Sequence, residues 1–394
     1  MRWLLLLLPL VSSLVQRRVR AQEDSTAAGD GAEMDQAPNE GELRTPQKPD
    51  PWVQLYASAV TGLNRPKERY CHASDRCGYF MVSHGGGGFT TDRLDVILSD
   101  TWRFDIRSNT WDAASPTRDG PARIYHSLST VIDTFSSKEN SNSNAASECT
   151  MLVFGGASAD SSQENLIDEN SLYAFTLSQS SSTAPVTGRW KPLYPSGILP
   201  DARNEHISIA HGGSLYVFGG MSGSSKDSVK QFNDVWKYSY VKGSEHGAWE
   251  YLSAEASKEH GMPNERFSLA GAYASAGVSA GSTQQESSNS EPSMIIFGGS
   301  YFDIRPSSAT IVLLDDLWSF GLVSHTWKLL SPRGRSMQRT YMSLVVSSNA
   351  VFVFGGMSQR SNERGREGCN KSSWKITPSN SATCDRIAYL SGIN

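Results

Sequence analysis

Apolar positions along this chain gather in short dense runs, and long helical stripes are missing. The run Leu215-Tyr216-Val217-Phe218 has strand length and ends at Gly219-Gly220. A polar loop follows, and Asp234-Val235-Trp236-Lys237-Tyr238 reads as a second strand. Together they form one supersecondary unit, and the unit recurs. Further apolar runs stop at Gly155-Gly156, Gly298-Gly299 and Gly355-Gly356, with a weaker copy from Tyr79 to Gly88. This pattern predicts an all-β chain built from repeats.

Other markers keep step. Asp-x-Trp recurs as Asp100/Trp102, Asp234/Trp236 and Asp316/Trp318, with degenerate forms at Ser171/Tyr173 and Ser372/Trp374. A further Trp closes four units, at Trp111, Trp190, Trp249 and Trp327. An Arg opens each of the five, at Arg69, Arg123, Arg203, Arg266 and Arg339. From that Arg to the first Gly of the pair is 16 residues in units one, three and five, and 32 in units two and four. The excess falls in Asp133 to Glu148 and Ala276 to Pro292, polar stretches that read as surface inserts.

The two ends complement each other. Pro51-Trp52-Val53-Gln54-Leu55 resembles the closing strands but has no strands before it, whereas the last unit has no clear closing strand. The expectation is that the Trp52 strand completes the last sheet and closes a ring without exposed edges. Residues 1–21 read as a secretory signal peptide, with an apolar stretch too short for an ordinary membrane span. Residues 22–50 read as a disordered acidic linker, 51–376 as the folded domain and 377–394 as a C-terminal tail. The expected product is exported, with no membrane span.

Charge changes the picture only by exclusion. Lys and Arg number 36 against 40 Asp and Glu, which offers no electrostatic footprint for nucleic acid. No phosphate loop, nucleophile elbow or zinc spacing is present, and no cofactor is implied.

Pro-x-x-Arg-x-x-His, the apolar-Gly-Gly runs, Asp-x-Trp and the closing Trp together resemble kelch repeats, over roughly Trp52 to Ile376. The resemblance implies a β-propeller of about five four-stranded blades. It also implies a non-catalytic module that mediates protein–protein interaction, and the loops after the Gly pairs, beginning at Ala157, Met221, Ser300 and Met357, are expected to cluster on one face and carry it. Carbohydrate binding is the second reading. The third is a copper radical oxidase like galactose oxidase, prompted by Tyr125-His126 and by Tyr70-Cys71-His72.

Two sets of candidate binding residues follow from the repeat. The opening Arg residues form either an anion-attracting rim at a channel mouth or internal bonds to loop carbonyls. His72, His126 and His206 follow Arg69, Arg123 and Arg203 by three residues, where units four and five carry Leu269 and Met342. The default for these histidines is hydrogen-bonded packing, and no metal is assigned to them. The Asp of Asp-x-Trp is expected to accept turn hydrogen bonds. In an exported chain, Cys71–Cys77 and Cys369–Cys384 are the candidate disulfides, leaving Cys149 over. Asn370 heads the one N-glycosylation sequon.

Overall fold

The computed structural model describes residues 65–89, 95–115, 119–135, 146–160, 165–223, 228–252, 261–275, 291–305, 308–331, 338–347, 350–358 and 373–376. These residues are strands and turns, arranged as propeller blades. The first blade is Ala73–Cys77, Phe80–His84, Thr101–Asp105 and Thr110–Ala113, hydrogen-bonded in that order. The second is Ser127–Asp133, Ser147–Phe154, Leu172–Gln179 and Thr187–Leu193. The third is Ile207–His211, Ser214–Phe218, Val235–Ser239 and Ala248–Tyr251. The fourth is Ala270–Ala274, Ser293–Phe297, Leu317–Gly321 and Trp327–Ser331. The fifth has three described strands, Thr340–Ser347, Ala350–Met357 and Ser373–Ile376. The strand expected around Trp52 lies outside the described residues, as do the leader, the linker and the tail.

The apolar runs are the second strands, and they are buried on both faces. Alternate residues point to opposite sides of a strand. Leu215 and Val217 therefore pack toward the second blade, beside Leu152, Phe154 and Trp249. Tyr216 and Phe218 pack toward the fourth, beside Met294, Ile296 and Trp327. The same division sends Met294 and Ile296 one way and Ile295 and Phe297 the other, against Leu344 and Val353. Each of the four described cores is thus an interface between neighbouring blades. Trp190, Trp249 and Trp327, the closing residues of blades two to four, fill three of them.

Stretches expected as loops after the Gly pairs contain small two-stranded hairpins. Ala157–Ala159 pairs with Leu166–Asp168, Met221–Ser222 with Lys230–Gln231, and Ser300–Arg305 with Ser308–Leu313. In the first blade Gly87–Phe89 pairs with Asp95–Ile97 and also with Arg69–Tyr70. The insert positions agree with expectation, because both fall between the first and second strands of their blades.

The expected Cys71–Cys77 bridge is corrected. Cys77 is bonded to Cys149, at a Cα separation of 6.0 Å, and Cys71 is free. Cys77 ends the inner strand of the first blade, and Cys149 lies on the second strand of the second, so the bond crosses the interface between them. Sequence proximity favoured Cys71, but Cys71 is hydrogen-bonded to Tyr125, while Cys77 faces the neighbouring blade. Cys369, Cys384 and Asn370 lie outside the described residues.

Candidate functional site

The opening Arg residues are internal braces. Arg203 donates to both carboxylate oxygens of Asp234, at 2.6 and 2.9 Å, and to the Gly219 carbonyl at 3.1 Å. Arg266 makes the same bonds to Asp316 and Gly298, and Arg69 to Asp100 and Gly85. Arg339 donates to Gly355. Each Asp also accepts from the indole two residues on: Trp102 to Asp100, Trp236 to Asp234 and Trp318 to Asp316. The Asp of Asp-x-Trp therefore ties the Arg to its own Trp. For Asp100, burial alone would raise the carboxyl, but the bonds from Arg69 and Trp102 outweigh it and hold it below its ordinary range. Arg203 and Arg266 are fully buried, so the anion-attracting rim is not the arrangement they adopt.

The second blade solves the same problem differently. Ser171 stands where the first, third and fourth blades carry Asp. Arg123 donates to its hydroxyl at 2.7 Å and pairs with Glu169 at 3.2 Å.

The three histidines do not converge. His126 and His206 are buried wedges, and His72 is exposed. A Cβ built on Gly85 would lie 3.0 Å from His126, and one on Gly155 would lie 2.9 Å from His206. Leu269 and Met342 stand in the same relation to Gly219 and Gly298, at 3.6 and 2.8 Å. Each side chain thus fills the space beside the Gly pair of the preceding blade, which explains why Leu and Met also serve there. His206 Nε2 meets Ser127 Oγ at 2.9 Å, whereas neither ring nitrogen of His126 has a partner among the described protein groups. Burial pushes His206 down to about 3 and His126 well below the ordinary imidazole range. Among the described residues, the one cluster of three metal-ligating types is Cys77, Asp133 and Cys149, and its cysteines are joined to each other.

The sequence reading missed the residues at the axis. The second residue after each opening Arg is Cys71, Tyr125, Glu205, Ser268 or Tyr341. All five have φ between 50° and 58°, a left-handed backbone that costs a non-glycine residue about 1–3 kcal/mol. What holds them is a relay of backbone bonds from blade to blade. Tyr125 N–H donates to the Cys71 carbonyl at 3.0 Å, Glu205 to Tyr125 at 3.0 Å, Ser268 to Glu205 at 2.9 Å, and Tyr341 to Ser268 at 3.0 Å. The residues just before them pair with the hairpins: Ile124 with Ala157, Asn204 with Met221, and Phe267 with Ser300. The axial residues and the hairpins therefore occupy the same end of the blades.

The Tyr125-His126 pair is divided by this geometry. Tyr125 is hydrogen-bonded to Cys71 at the axis, while His126 packs edge-on against His84 in the blade interface, at 5.3 Å between ring centres. The position two after each Arg was legible only as the variable place in an otherwise repeated motif.

A family model described as the KLHDC2/KLHL20/DRC7 Kelch-repeats domain matches residues 133–356. Kelch repeat-containing protein 2 of Saccharomyces cerevisiae is 27% identical over 179 residues, which cover 44% of this chain and 17% of the relative. The Drosophila melanogaster leucine-zipper-like transcriptional regulator 1 homolog is 21% identical over 310 residues, 70% of this chain and 29% of the relative. Human Kelch domain-containing protein 10 is 24% identical over 196 residues, 47% of this chain and 38% of the relative. The matched part is less than half the length of each of these relatives.

Proposed function

Because this chain belongs to the kelch-repeat family, we propose that it is a non-catalytic binding module that engages a protein partner at the hairpin-bearing end of its blades. Kelch-repeat relatives generally mediate protein–protein interaction. One observation carries the reading furthest. Hairpins of unlike length and sequence start beside the axial residues of successive blades, so a uniform scaffold presents a non-uniform surface. The Ser300–Leu313 hairpin is the longest, with six paired positions, against two in the third blade.

Export is part of the proposal. It is supported by the apolar leader pattern at residues 1–21 and by the Cys77–Cys149 bond, a feature of oxidising compartments. No helix among the described residues is long and apolar enough to cross a membrane.

The test expresses the full chain in a secreting host and captures partners from the medium and cell surface. A candidate is then re-purified and titrated against the wild type and against a variant whose 300–313 hairpin is replaced by a short turn. Saturable binding that the variant loses supports the proposal. Saturable binding to a glycan array, with no protein bound, would replace it with the carbohydrate reading.

A further inference from the structure

Among the described residues, the carboxylate of the axial cluster is bonded to no cation. Tyr341 Oη donates to Glu205 Oε1 at 3.1 Å, and Ser268 Oγ donates to Glu205 Oε2. Both donors are neutral. Cys71 and Tyr125, hydrogen-bonded to each other, lie within electrostatic reach of the same carboxyl. The nearest arginine along the chain, Arg203, is committed to Asp234 and Gly219. The other charged group felt by Glu205 is Asp168, which is held by Asn204 Nδ2 and the Gly223 N–H and has the wrong sign to help. The cluster reaches the surface through the ring of Tyr341, which is 43% exposed, while the Glu205 carboxyl lies deep.

We propose that the axial cluster of Glu205, Tyr125, Ser268 and Tyr341 receives one organic cation, the ammonium or guanidinium end of a basic side chain on the protein partner. The inference rests on the proposed protein-binding function, because three of the hairpins start beside residues of this cluster. A carboxylate beside hydroxyl oxygens offers charge-assisted hydrogen bonds, and two tyrosines offer ring faces that attract cations. A divalent metal ion fits less well. Such ions take several hard oxygen ligands, and the axis supplies one carboxylate among neutral groups.

Protonation of Glu205 competes with the cation. Burial pushes this carboxyl up to about 7, opposed by the bonds from Ser268 and Tyr341 and reinforced by Asp168. Binding selects the ionised form, so the cation releases a proton near neutrality, and affinity falls about tenfold between pH 8 and pH 6.

The experiment is calorimetric titration of the full chain with acetyl-Gly-Lys-Gly-amide, acetyl-Gly-Arg-Gly-amide and the uncharged norleucine analogue. Buffers of different ionisation enthalpy report the proton released. We expect one site, at least tenfold preference for a basic peptide over norleucine, and tenfold or greater loss in Glu205→Gln. Tyr341→Phe should weaken binding about threefold and leave the proton release in place. No binding of either basic peptide at 10 mM (about the limit for a useful subsite), equal binding of norleucine, or an unaffected Glu205→Gln would overturn the proposal. Thermal melting of both variants guards against misfolding. A partner that binds wild type and Glu205→Gln equally would sink this inference while leaving the protein-binding reading intact. A wild type that binds the peptides but no partner would do the reverse.

Discussion

Arg123 pairs with Glu169, two residues upstream of the position where Arg203 finds its counterion, Asp234. The second blade has thus moved its carboxylate along the chain and kept the guanidinium in place. Its Glu169 side chain is 25% exposed, against 5% for Asp316 in the fourth blade. A buried pair broken on one side leaves the other charge stranded.

Asp316→Asn is therefore expected to destabilise the protein by about 3–5 kcal/mol. Glu169→Gln should cost less, about 1–2 kcal/mol, because solvent reaches that carboxylate and the Ser171 hydroxyl still accepts from Arg123. Urea denaturation curves of the two variants check the ranking, and equal losses would contradict the brace geometry.

His126→Leu should be tolerated at pH 7.5 and should stabilise the protein as pH falls. The imidazole is buried with no hydrogen-bond partner among the described residues, and Leu269 already fills the equivalent place in the fourth blade. Burial, with smaller contributions from His84, Arg123, His206 and His72, keeps the folded-state value below that of the unfolded chain. The neutral form is therefore what the fold accommodates. Its contribution is present above about 6.5 and is lost as pH drops below that, because the unfolded chain takes up the proton first. Replacing His126 removes this loss. Melting temperatures between pH 7.5 and pH 5 should converge toward, then exceed, those of the wild type.

Gly220→Ala should cost about 2–4 kcal/mol. Its φ is 93°, and a Cβ there would stand 2.6 Å from the Asn204 carbonyl oxygen and 2.8 Å from His206 Cβ. Gly212, at φ 57° with nothing near its Cβ position, is the control, with a loss near 1 kcal/mol. Differential scanning calorimetry of the pair separates backbone strain from collision.

Reduction of Cys77–Cys149 should lower stability by about 4 kcal/mol, the chain-entropy figure for closing a loop of 72 residues. Peptide mapping under non-reducing conditions should recover these two cysteines in one linked fragment. It should also find Cys71 open to alkylation after unfolding.

Much of the scaffold was legible because its signals are periodic and its constraints local. Gly219 and Gly298 mark strand ends because the backbone there takes positive φ, and the 16-residue spacing recurs in units one, three and five because Arg69, Arg203 and Arg339 each reach their own Gly carbonyl. The 32-residue spacing in the fourth blade is a true insert, since Arg266 still reaches Gly298. The hairpins were not legible, because Ser300–Leu313 sits where repeat logic expects variable loops. Nor was the disulfide, which joins residues 72 apart across an interface that spacing alone does not define. The axial cluster escaped because Cys71, Tyr125, Glu205, Ser268 and Tyr341 share a backbone conformation but no single residue type.

The doubly buried second strands have a consequence for how the molecule comes apart. Loosening Ser214–Phe218 would strip one wall from the cluster around Trp249 and another from the cluster around Trp327 at once. Blades two, three and four are therefore bound to melt as a joint event, and slow amide exchange should spread evenly over all three rather than rank them.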